Sequence, residues 1–132
     1  MGKKGTSAES RRLTDVELEL MTILWRLGEA NVADVIGQLP PGRDLAYTSV
    51  STILRILESK GVICSRKQGR GHIYAPVLGK ADYEVRAVRD VVERVFQGVP
   101  FALVRQLIDT NQLTDNDVRE VRKLLARAKG RK

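Results

Sequence analysis

Between the breaker run Pro40-Pro41-Gly42 and Gly61 the chain carries one apolar stripe, and a basic segment punctuated by glycines follows it. Val50, Ile53, Leu54 and Leu57 recur at i, i+3, i+4 and i+7, the spacing of a helix with a single buried face. The pattern predicts a helix from about Tyr47 to Lys60, closed by Gly61. At about 100° per residue, the opposite face carries Thr48, Ser51, Thr52, Arg55 and Ser59. Val62 and Ile63 then open a strand, and Ile73 to Val77 form another. Between them lies SRKQGRGH, in which Gly69 and Gly71 supply a turn and Arg66, Lys67 and Arg70 supply charge. The segment reads as a β-hairpin with a basic tip.

Two helices precede this unit. Thr14 and Glu17 have capping-box spacing, with Leu13 and Leu18 placed for a hydrophobic staple. Val16, Leu20, Ile23, Leu24 and Leu27 follow at helical period, Trp25 joins the core, and Gly28 caps the end. Asn31 starts a shorter helix with Asp34 three residues on, and Val32, Val35, Ile36 and Leu39 form its apolar face. Three helices followed by a hairpin is the order of a winged helix-turn-helix. Beyond Gly79 the period is helical again: about 81–97, then 101–109 after the break at Gly98 and Pro100, then a last helix capped by Thr114. The fold class expected is therefore mainly α with a small β-hairpin. A disordered basic arm at 1–12 would precede a winged-helix domain at 13–78, with a helical dimerisation segment at 79–128 and a basic tail at 129–132.

The charge is not spread evenly. Of the net +7, residues 1–12 hold +3, residues 13–42 hold −4, residues 43–76 hold +4 and residues 77–128 hold +1. The structured positive charge thus sits in one block, as expected where one face meets an anionic polymer. There is a single cysteine, Cys64, and no apolar run near the roughly 20 residues of a membrane span, so a cytoplasmic protein is expected. No nucleophile–base pair, paired catalytic carboxylates or phosphate loop appears, so neither an enzyme nor a cofactor is expected. His72 is the only histidine and has no partner ligands, which argues against a metal; Cys64 reads as a small core or half-buried side chain.

A short polar face on a well-buried helix can enter the major groove of DNA, about 12 Å wide. Arg55 has the reach for a bidentate contact to guanine, and the hairpin can lie on the phosphate backbone. Tyr47, at the helix start, is placed either to pack or to touch a phosphate. The bland reading is a solvated face and a solvated tip, and a winged helix can also serve as a protein- or RNA-interaction module. The C-terminal stripes point to a second copy of the chain. Val85, Val88, Val92 and Phe96, then Leu103, Val104, Leu107 and Ile108, then Val118, Val121 and Leu125, lie on about fifty residues of helix. So small a segment rarely buries three stripes by itself. The stripe through Leu103, Val104, Leu107 and Ile108 is expected to be buried.

Several motifs, in order and spacing, resemble the penicillinase-repressor (BlaI/MecI-type) group. They are LTDVELELMTILW at 13–25, NVADVI at 31–36, AYTSVSTILRILESKGVI at 46–63, YAP at 74–76 and ALVRQLI at 102–108. The resemblance implies a winged-helix repressor that dimerises through C-terminal helices and binds a palindromic operator in double-stranded DNA. It implies that Thr48, Ser51, Thr52 and Arg55 lie on the recognition helix and Arg66 to His72 in the wing. It also implies an upstream sensor protease as a partner, cutting such repressors at an Asn-Phe pair. Gln106-Leu107 stands at that place here, and the cysteine cluster of copper-responsive members is missing.

Overall fold

The computed structural model describes residues 12–130. The basic arm expected at 1–12 lies outside them except for Arg12, as do Arg131 and Lys132 of the tail. The element order is α1 (Asp15–Leu27), α2 (Val32–Gly37), α3 (Tyr47–Ser59), β1 (Ile63–Gln68), β2 (Gly71–Pro76), α4 (Lys80–Val95), α5 (Pro100–Asp109) and α6 (Asp115–Gly130). The chain forms two compact units that divide between Ala87 and Val88, inside α4.

Local chemistry sets the helix starts. At α1 the Glu17 amide donates to Thr14 Oγ1 at 3.1 Å, and the Thr14 amide donates to Glu17 Oε1 at 2.9 Å. Asn31 and Asp34 repeat the same reciprocal pair at α2, with contacts of 2.7 and 3.1 Å. Each box satisfies two amides that the first turn of a helix leaves without partners. Gly28, at φ 88°, ends α1, a conformation in which a side chain would be strained.

The first unit is built around one core. Leu20, Met21 and Leu24 of α1, Val35 of α2, Val50, Leu54 and Leu57 of α3, and Val62 are completely buried. Ile53, Ile36 and Leu39 pack at its margin. Trp25 is half-buried rather than central: its indole N–H donates to the Leu78 carbonyl at 2.9 Å, and its ring meets Tyr83 of α4 at 5.8 Å. Leu27, expected on the apolar face, is exposed at the last position of α1, where the helix has run past the core.

The wing is longer toward its tip than the apolar pattern indicated. Gln68 pairs with Gly71, so Gly71 belongs to a strand and the turn is Gly69-Arg70 alone, with Gly69 at φ 61°. The polar residues there give no alternation by which to read a strand. A third edge joins on the other side of β2, where Ala30 and Tyr74 exchange amide-to-carbonyl bonds of 2.9 and 2.8 Å. Cys64 is exposed, which corrects the core or half-buried placement. It alternates with buried Ile63 and half-buried Ser65, so its side chain takes the other face of the strand.

In the second unit, α6 starts on a further capping box between Thr114 and Asp117, at 3.0 and 2.9 Å. Asn111, at φ 57°, closes α5 in the left-handed region that Asn tolerates. Val92 is buried, and Phe96 and Leu103 are half-buried. Val104, Leu107 and Ile108 are not buried as expected: they are 43%, 36% and 55% exposed. The reason is that a single copy of this unit offers too little surface to cover its own stripes. Val88, Val118, Val121 and Leu125 are exposed in the same way, as is Val85 of the first unit.

Candidate nucleic-acid interface

The exposed part of α3 splits into two rows. Tyr47, Ser51, Arg55 and Glu58 follow one another at three- and four-residue spacing and line a cleft of about 360 Å³. Its opposite wall is the wing, through Arg70, Gly71, His72 and Tyr74, with Val32 at one end. The second row faces outward. Thr48, Ser49 and Thr52 surround a shallow depression of about 350 Å³ with Ile53, and Ile56 lies one turn beyond Thr52. No carboxylate stands on this outward row; Glu58 is the only acidic residue of α3.

Strand alternation decides which wing residues take the α3 side of the hairpin. Ser65 points toward α3, because its hydroxyl donates to Glu58 Oε2 at 2.8 Å. Lys67 is two residues on and pairs with His72, while Ser65 pairs with Tyr74, so these four share the α3 side of the hairpin. His72 and Tyr74 keep their rings 6.3 Å apart on that face. Arg66 takes the opposite face. There it reaches past β2 to Glu29 in the α1–α2 turn, with contacts of 3.0 and 3.3 Å to the two carboxylate oxygens. Of the residues singled out from the sequence, the cleft brings together Tyr47, Ser51, Arg55, Arg70 and His72. Thr48 and Thr52 lie on the outward row, and Arg66 is turned away.

Two ion pairs fix the frame. Arg43, in the loop that delivers α3, grips both oxygens of Glu19 on α1 at 2.9–3.1 Å. The guanidinium holds the Glu19 carboxyl below its ordinary value. Lys60, at the other end of α3, bonds Glu17 at 2.6 Å. Inside the cleft, burial and then the Glu58 carboxylate push the Tyr74 phenol up, so it stays protonated and able to donate. The array of Arg55, Arg70 and His72 across one cleft, beside a helix face without carboxylates, suits a polyanion. Glu58 and Ile56 escaped the sequence reading. Glu58 could have been found from its spacing to Arg55, and Ile56 as an apolar residue inside a polar arc. Glu29 gave no sign, because its pairing crosses three elements.

The penicillinase repressor family profile matches residues 13–127. The penicillinase repressor of Bacillus licheniformis is 26% identical over 121 residues, which cover 92% of this chain and 94% of that protein. The transcriptional regulator BlaI of Mycobacterium tuberculosis is 40% identical over 74 residues, 55% of this chain and 54% of that one. Among solved structures, the DNA-binding domain of the repressor BlaI is 30% identical and matches 55% of this chain and 88% of that one, with a TM-score of 0.49.

Proposed function

Because the chain belongs to the penicillinase repressor family, we propose that it is a DNA-binding transcriptional repressor that acts as a homodimer on a palindromic operator. The observation that carries this reading is the convergence of Arg55, Arg70 and His72 on the cleft between α3 and the wing. A duplex with α3 in its major groove would run one phosphate backbone through that cleft. Arg55 could reach a guanine edge or a phosphate; sharing the cleft with Arg70 favours the phosphate. Thr48 and Thr52 then meet base edges, and Ser51 and Tyr47 flank the backbone.

The exposed stripes of α5 and α6 support the dimer. Phe101, Val104 and Ile108 on α5, and Val118, Val121 and Leu125 on α6, stand in solvent in the single chain, each set at the spacing of one helix face, and exposed apolar faces of this kind mark an interface. A two-fold pair would present two recognition helices to half-sites about one helical turn, or a multiple of it, apart. The test is duplex binding by fluorescence anisotropy across a salt series, using sites selected from a random pool. A selected palindrome bound with a steep salt dependence is expected. Binding that is equal for all sequences, or that does not weaken with salt, would overturn the reading.

A further inference from the structure

Ile56 is the only large aliphatic side chain on the outward row of α3, and it is 43% exposed. Its neighbours on that side, Thr52 at i−4 and Ser59 at i+3, are too small to cover it, and Lys60 at i+4 reaches away to Glu17. At about 100° per residue, Thr52 and Ile56 lie about 40° apart and one turn along the axis, so their side chains form one ridge. Ile56 is β-branched at Cβ, which fixes its χ1 in a helix and holds its methyl groups in place, while Thr52 can turn either its methyl or its hydroxyl along the ridge. Beside the ridge is the depression with Thr48 and Ser49 at its rim and Ile53, half-buried, at its base. The surface offered by these residues is carbon and hydroxyl, without charge.

A major groove presents hydrogen-bonding edges and one apolar group, the C5-methyl of thymine. From the ridge and the depression we infer that Thr52 and Ile56 read thymine by its methyl group, making Ile56 a specificity-determining residue of α3. The inference rests on the reading that α3 enters the major groove. It assigns the sequence-reading to carbon contacts on the outward row, while Arg55 and Arg70, in the cleft, hold the backbone.

The experiment removes single methyl groups from the DNA. Duplexes bound by the full chain are selected from a random pool, and each thymine of the selected site is replaced in turn by deoxyuridine, which lacks only that methyl. At one thymine or more in each half-site, binding should weaken about fourfold, the effect of returning one methyl-sized group to water. Ile56→Ala and, separately, Thr52→Ser (which keeps the hydroxyl) should bind the thymine duplex more weakly and should lose the thymine-over-uracil difference at the positions concerned. Both positions are exposed, so the variants keep their fold. A selected site indifferent to every methyl, or a penalty that persists in both variants, overturns the inference while leaving DNA binding intact. A protein that selects no sequence overturns it together with the proposed function.

Discussion

Lys60 Nζ lies 2.6 Å from Glu17 Oε1, an ion pair that joins the end of α3 to the first turn of α1. Glu17 is the one buried charged residue among those described, and it already accepts the Thr14 amide bond of the capping box. A single carboxylate therefore secures both the start of α1 and the end of the helix proposed to read DNA.

The first prediction concerns acid. Burial alone would push the Glu17 carboxyl up, but Lys60 and the Thr14 groups together hold it below its ordinary 4.5. Glu19 is lowered in the same direction by Arg43. A carboxyl depressed in the folded state contributes stability that is present above 4.5 and lost as pH falls through the lower folded value. Denaturant unfolding should therefore show stability falling below about pH 4.5. Lys60→Met should cost about 1.5–3 kcal/mol at neutral pH, because it strips a buried charge of its partner. It should also flatten the acid limb, since burial would then oppose only the Thr14 bonds. An unchanged acid limb in that variant would refute the role given to Lys60.

The second prediction separates the two arginines of the cleft from Arg66 on the far face of the wing. Arg55→Ala and Arg70→Ala should each reduce the slope of log affinity against log salt by about 0.9, on selected and random duplexes alike. Arg66→Ala should change the slope less than either, because Arg66 stands on the far face of the hairpin against Glu29. Anisotropy titrations at several salt concentrations decide this. A loss at Arg66 equal to that at Arg70 would mean that the duplex meets both faces of the wing.

How much of this was legible depended on the range of the interactions. The boxes Thr14–Glu17 and Asn31–Asp34, and the stripe Val50, Leu54 and Leu57, are set by residues within one or two turns, so pattern was enough. The Ala30–Tyr74 bridge, the Lys60–Glu17 pair and the Arg66–Glu29 pair join residues distant in sequence, and spacing cannot supply them. Cys64 was misplaced for the same reason. Its face follows from which neighbour in the strand meets the core, and that is set by packing on α3. The stripe of α5 was visible as apolar, but whether Val104 and Ile108 are covered depends on a second molecule.

That dependence gives the third prediction. Val104→Glu combined with Leu125→Glu places charge on two exposed positions of the second unit and should leave the single chain folded. Sedimentation should show a dimer for the unaltered protein and monomers for this variant. Affinity for a complete operator should fall by a factor on the order of 10² or more, as expected when two linked half-sites become independent, while a half-site is bound as before. A variant that remains dimeric would move the interface away from α5 and α6.

The last prediction concerns the Gln106-Leu107 bond. It lies inside α5, where Gln106 is exposed and its carbonyl accepts the Thr110 hydroxyl at 2.6 Å. A protease takes its substrate extended, so at least this turn of helix must open before the bond can be cut. In a single chain opening would be cheap, because Val104, Leu107 and Ile108 are already in solvent. In the proposed dimer those residues are covered, and opening α5 would expose them again. Gln is also longer than the Asn, and Leu lacks the aromatic ring, of the pair cut in the repressors that this sequence resembles. Relief of repression should therefore occur on the intact chain. Mass spectrometry of the protein from its native host during cell-wall stress should find full-length chain while target genes are derepressed. A fragment ending at Gln106 would overturn this and show that cutting releases the dimer helices from the DNA-binding unit.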